Sequence, residues 1–170
     1  MSGALQRWNL LPTEAAANEI LPCCGSRSWA NAMAGRRPFP DKNTLLFVSD
    51  EVWNGLSKSD WQEAFRSHPR IGESRRPEEA SQQSAEWSGH EQQMVTNASE
   101  PAKLALTEGN REYERKFGRI FIVCATGKSP EEILTILRRR LENDPTTEFR
   151  EAAEQQRQIT QLRLRKWLHA

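Results

Sequence analysis

Cysteine is scarce in this sequence, and its placement excludes a disulfide scaffold. Cys23, Cys24 and Cys124 are an odd set with two members adjacent, so no framework of paired bridges can be drawn. The set fits a reducing, cytoplasmic compartment. Long hydrophobic runs are missing too. No apolar stretch approaches the ~20 residues a spanning helix needs, so no membrane partner is expected. The first residues have no apolar core and carry Glu14 and Glu19 early, which is unlike a secretory signal. An excess of one charge is also absent. Lys and Arg number 24 against 23 Asp and Glu, a net charge of +1. That balance argues against nucleic acid or an anionic membrane as the main partner.

Several chemical motifs are missing as well. Gly25, Gly35, Gly55, Gly72 and Gly89 stand alone, so no glycine-rich phosphate loop exists. The run His90-Glu91-Gln92-Gln93-Met94 fails the zinc-helix pattern because Met94 stands where a second histidine belongs. Cys23-Cys24 lacks the spacing of a zinc knuckle, and no GxSxG elbow occurs. No metal site is expected. Trp8, Trp29, Trp53, Trp61, Trp87 and Trp167 are dispersed, without an interleaved basic stripe, and read as core rather than as a base-stacking platform.

Helix signals fill the chain. Ser26 caps a short helix through Ala34, and Arg36 to Pro40 is a connector. Asn43 to Asn54 carries Leu45, Leu46, Val48, Val52 and Trp53, with Gly55 after it. Ser57 to Asp60 offers caps for a helix through Phe65 or Ser67, which Pro69 stops by disfavouring helical geometry in the residue before it. Ile71 to Pro77 reads as loop. A helix follows from Glu78 or Ser88 to Ala98, and another from Pro101 to Phe117, closed by Gly118. Arg119 to Ala125 is the one strand-like run, either a buried extended segment or a helix start. Ser129-Pro130-Glu131-Glu132 is a capping box, opening a helix with Ile133, Leu134, Ile136, Leu137 and Leu141 in register. After Asn143-Asp144-Pro145 a last helix runs from Thr147 to Leu168. The sum is one compact all-α domain over residues 1–170, a bundle of roughly eight helices.

Three places could carry chemistry. On the last helix Ile159, Arg163 and Trp167 form one row. An arginine there either snorkels to water or aims its paired donors at a carboxylate or oxyanion. Ser88, Glu91, Gln92 and Val95 share a face if helical. Spacing alone favours a capping box, with Ser88 as N-cap and Glu91 bonding back. The alternative sets a hydroxyl, a carboxylate and an amide beside one polar, nitrogen-rich ligand. His68, at a helix exit, is a turn residue or a proton carrier suited to neutral pH.

Taken together, the residues resemble the 2-oxo-4-hydroxy-4-carboxy-5-ureidoimidazoline (OHCU) decarboxylase family. His68-Pro69-Arg70-Ile71-Gly72, Ser88-x-x-Glu91-Gln92 and Tyr113-x-x-Lys116-Phe117-Gly118 carry the likeness. Phe121-Ile122-Val123-Cys124-Ala125 and Ile159-x-x-Leu162-Arg163-Leu164 continue it in the same order along essentially the whole chain. Two points depart from the pattern: Ile71 stands where leucine is more usual, and Ala98-Ser99-Glu100 match nothing in it. The resemblance implies an all-helical, cofactor-free homodimer that converts OHCU to S-allantoin in urate degradation. It implies His68 and Glu91 as catalytic residues, dividing the proton transfers in either order. Pro69, Ser88, Gln92, Ile122, Val123 and Arg163 would bind substrate. His68 and Glu91 are then expected to face one small cavity, with Arg163 opposite. Two rival readings remain: a cofactor-free hydrolase of a cyclic ureide, and a non-catalytic helical binding module.

Overall fold

The computed structural model describes residues 2–73, 77–78 and 80–170. They are 71% helical, and no strand occurs among them. Among the described residues there are ten α-helices: α1 (Gly3–Asn9), α2 (Thr13–Ile20), α3 (Arg27–Gly35), α4 (Lys42–Asn54), α5 (Lys58–Arg66), α6 (Gln82–Glu91), α7 (Gln93–Thr96), α8 (Glu100–Phe117), α9 (Pro130–Leu141) and α10 (Pro145–Leu168). A short 3-10 turn spans Leu21–Cys23. Roughly eight helices were expected. Seven of the ten had been placed along the sequence; the other three are α1, α2 and α7, the last arising from a break. Part of the expected loop from Ile71 to Pro77, residues 74–76, lies outside the described residues.

Caps explain most boundaries. The side-chain oxygens of Ser26, Asp41, Ser81, Ser99 and Ser129 each accept a backbone N–H from the first turn of α3, α4, α6, α8 and α9, satisfying donors a helix start leaves open. Ser129 and Glu132 complete the predicted capping box in both directions. Asp144 bonds the Thr147 N–H at 2.9 Å and so opens α10 near Pro145. At the other end of α8, Gly118 has φ 71°, a left-handed conformation that glycine adopts without strain.

The chain divides into two compact units, Met1–Ala64 with Arg157–Ala170, and Phe65–Gln156. In the first unit α3 packs on α2 and α4, over a core that includes Leu5, Trp8, Ile20, Trp29, Met33, Leu45 and Leu164. Three buried tryptophans are core residues with satisfied N–H groups. Trp8 donates to the Ala16 carbonyl at 2.9 Å, Trp29 to the Ser49 hydroxyl at 3.2 Å, and Trp167 to Glu19 at 3.0 Å. In the second unit α8 packs on α9. Its core gathers Ile71, Val95, Leu106, Tyr113, Phe121, Val123, Ile133 and Leu137. The two helices approach closely at Gly109, where a Cβ would meet Leu137 Cδ2 at 2.5 Å.

Candidate active site

The segment leaving α5 is built to hold an imidazole inside the second unit. The helix ends at Arg66, and the His68 N–H closes a last turn onto the Phe65 carbonyl at 3.2 Å. Pro69 then prevents continuation. His68 is buried, and its Nε2 lies 2.6 Å from Gln156 Oε1. Pro69 beside it is half-buried. The following residues are pinned from two helices. Asn110 of α8 donates to the Ile71 carbonyl at 3.0 Å, and the Gly72 N–H donates to Gln92 Oε1 at 2.9 Å. Gly72 turns at φ 87°, which a side chain would strain. Asn110 Oδ1 is buried with no hydrogen-bond partner among the described residues.

That last bond ties the His68 segment to the junction of α6 and α7, where the sequence placed Ser88, Glu91 and Gln92. The expected continuous helix to Ala98 is interrupted there. Gln92 leaves helical geometry at φ −104°, ψ 26°, and α7 starts afresh. The capping-box reading of Ser88 and Glu91 is also corrected. Ser81 is the N-cap of α6, while Ser88 lies in the helix interior and Glu91 is its last residue. Ser84, Ser88 and Gln92 are buried along one face, and Glu91 is half-buried. A helix that turns hydroxyls and an amide inward, in place of hydrocarbon, must give them polar company.

Ile122 and Val123 are buried in the irregular run after Gly118, which is neither helix nor strand. Side chains satisfy its backbone instead. The Ile122 carbonyl accepts from Arg140 Nη1 at 2.5 Å, the Cys124 N–H donates to Gln155 at 2.9 Å, and Lys128 Nζ donates to the Cys124 carbonyl at 2.6 Å. Arg140 is anchored by Glu148, which also accepts from the Tyr113 hydroxyl at 2.6 Å and from Asn143 at 3.0 Å. Burial and this bond to Glu148 raise the Tyr113 pKa above its ordinary value. The sequence reading missed Asn110, Arg140, Glu148 and Gln156. Arg140 and Glu148 fall on the buried stripes of α9 and α10, polar exceptions whose partners spacing does not reveal.

Arg163 lies in the first unit and His68, Ser88, Glu91, Gln92, Ile122 and Val123 in the second. The snorkelling alternative for Arg163 is overturned. The residue is fully buried between Ile159 and Trp167 along its row, and its Nη1 donates to the Pro22 carbonyl at 3.0 Å. Cys24, in the same unit, is no nucleophile: burial pushes its thiol up to about 12, so the reactive thiolate is lacking at neutral pH. Among the described residues no three His, Cys, Asp or Glu side chains gather as metal ligands do.

A buried imidazole, with a carboxylate, a hydroxyl and an amide on the helix junction bound to its own segment, has the parts of a helical acid–base enzyme for a small polar molecule. The comparisons give that class a family. The sequence matches the OHCU decarboxylase family over residues 9–165, so the chain belongs to the OHCU decarboxylase family. It is 35% identical over 153 residues to the uric acid degradation bifunctional protein TTL of Arabidopsis thaliana, covering 90% of this chain and 47% of that protein. It is 30% identical to the 2-oxo-4-hydroxy-4-carboxy-5-ureidoimidazoline decarboxylase of Amia calva, covering 79% of this chain and 77% of the other. Among solved structures it is similar to an OHCU decarboxylase crystallised in the presence of (S)-allantoin. The TM-score is 0.76 at 33% identity, covering 90% of this chain and 99% of that one. The chain thus spans about half the length of the Arabidopsis bifunctional relative.

Proposed function

We propose that this chain decarboxylates OHCU to S-allantoin in urate degradation, with His68 and Glu91 as its proton-transfer groups. The observation that carries the reading is the hydrogen bond from the Gly72 N–H to Gln92 Oε1 at 2.9 Å. It joins the segment bearing His68 to the helix end bearing Ser88 and Glu91, in a chain whose family match spans residues 9–165. The same span supports treating residues 1–170 as a single functional domain.

The substrate's chemistry asks for such groups. Loss of carbon dioxide leaves an electron pair that needs a sink. In OHCU the carbon bearing the carboxylate is bonded to the carbon of a ring C=N. The pair forms a new C=C, and the imine pair moves to nitrogen, which takes up a proton from water, so that the net reaction consumes one proton. The 4-hydroxyl then gives up its proton to become a carbonyl, and the ureido-bearing carbon gains one. Glu91 takes the hydroxyl proton and His68 delivers the proton that sets the handedness. A well-placed acid or base is worth ~10²–10⁴-fold. Ser88, Gln92, the Pro69 carbonyl and the backbone at Ile122 and Val123 bind the heterocycle. Arg163 is assigned to an anionic group of the substrate or to its developing oxyanion, so Arg163→Ala raises KM. A cytoplasmic location and a homodimer complete the reading.

The test adds the purified protein to uricase and hydroxyisourate hydrolase acting on urate. Carbon dioxide release with rapid appearance of one allantoin enantiomer by circular dichroism supports it. A product formed without carbon dioxide would favour a cyclic-ureide hydrolase instead, and no change at all a binding module.

A further inference from the structure

His68 and Gln156 are joined by a short side-chain contact. The imidazole Nε2 lies 2.6 Å from the side-chain oxygen of Gln156, and both residues are buried. An amide oxygen only accepts. Nε2 therefore carries a proton in either charge state of the ring, and in the neutral ring Nδ1 is the basic nitrogen. Gln156 holds this acceptor firmly. It is fully buried on α10, in the same row as Glu148 and Ala152 at four-residue spacing. The acceptor is thus offered by a buried helix side chain rather than by a surface amide.

We propose that Gln156 is the positioning residue of His68, holding the ring with Nε2 protonated so that proton exchange with the substrate takes place at Nδ1. This rests on the reading of His68 as the proton carrier. It suits a reaction in which one proton must reach one face of a planar intermediate. A ring that turns, or that swaps tautomers, presents its proton in several places; a ring tied at Nε2 presents it in one. The amide is neutral, so it orients the imidazole without adding a buried charge beside it.

Nitrogen-15 NMR of histidine-labelled protein at alkaline pH tests this directly, with the His68 signals assigned by their loss in His68→Ala. The expected spectrum shows a protonated, pyrrole-like Nε2 and an unprotonated Nδ1. Gln156→Leu is expected to mix the tautomers and lower kcat about tenfold, with KM changed less than about twofold. Gln156→Glu, which keeps an acceptor in place, restores the single tautomer and most of the turnover. A wild-type ring protonated at Nδ1 overturns the proposal, as does Gln156→Leu with unchanged kcat. If Gln156→Leu does not fold, the wild-type spectrum and Gln156→Glu decide. The spectrum needs no substrate, so a correct tautomer in a protein that releases no carbon dioxide indicts the reaction assigned above and leaves the Gln156–His68 geometry standing.

Discussion

Replacing Arg140 with methionine tests how the second unit holds its irregular segment. Arg140 and Glu148 are both fully buried, and Arg140 Nε bonds Glu148 Oε1 at 2.8 Å while Nη1 bonds the Ile122 carbonyl at 2.5 Å. Its guanidinium also lies 4.6 Å from the Phe121 ring centroid. Methionine keeps much of the hydrocarbon but leaves Glu148 without its counter-charge and the Ile122 carbonyl without its donor. Breaking a buried pair from one side costs about 3–5 kcal/mol, because a charge stays behind uncompensated. Tyr113 and Asn143 still donate to Glu148, which favours the lower half of that range. Against a total stability of about 5–15 kcal/mol, and a urea slope of about 2 kcal/mol/M, the midpoint should fall by roughly 1.5–2 M. Removing both charges in Arg140→Met with Glu148→Leu should recover most of the loss. A single variant that unfolds within about 1 kcal/mol of wild type would refute this account of Arg140.

Other consequences are open to simple measurements. Gln92→Leu removes the acceptor for the Gly72 N–H and should cost about 1–3 kcal/mol in urea unfolding, with turnover falling because the His68 segment loosens. The three cysteines are buried and the Cys24 thiol is pushed up to about 12 by burial, so a thiol reagent at neutral pH should label none of them until denaturant is added. Arg139 holds the Glu151 carboxyl below its usual value of 4.5. A carboxyl depressed on folding stabilises above its unfolded pKa, and that contribution is lost as pH falls through the folded one. Glu151→Gln should therefore cost less than about 1 kcal/mol at pH 7, the pair being partly exposed, and the difference should vanish in strong acid, as read by urea midpoints across pH.

Periodicity and caps made the helices legible. Ser129, Pro130 and Glu132 marked the start of α9, and Gly118 the end of α8, because these signals act within a few residues. The break at Gln92 was not legible. Its side chain is spent on Gly72, twenty residues earlier in the chain, and a long-range bond leaves no local signature. The capping-box reading of Ser88 failed for a related reason. Ser81 offers the same chemistry seven residues upstream, and spacing cannot rank two serines. His68, Ser88, Glu91 and Gln92 were singled out by residue type and spacing, and the roles proposed for them came from the resemblance to a family. Gln156 and Glu148 were not, since a polar residue on an apolar helix row is ambiguous until its partner is seen.

The proposed chemistry depends most directly on His68, and one comparison measures its role. Wild type, His68→Ala and Glu91→Gln are supplied with OHCU generated from urate, and allantoin is followed by circular dichroism. Wild type should give one enantiomer quickly, while both variants should fall back by about 10²-fold or more toward the slow, racemic decay of free OHCU. His68→Ala that keeps both the speed and the handedness of wild type would contradict it.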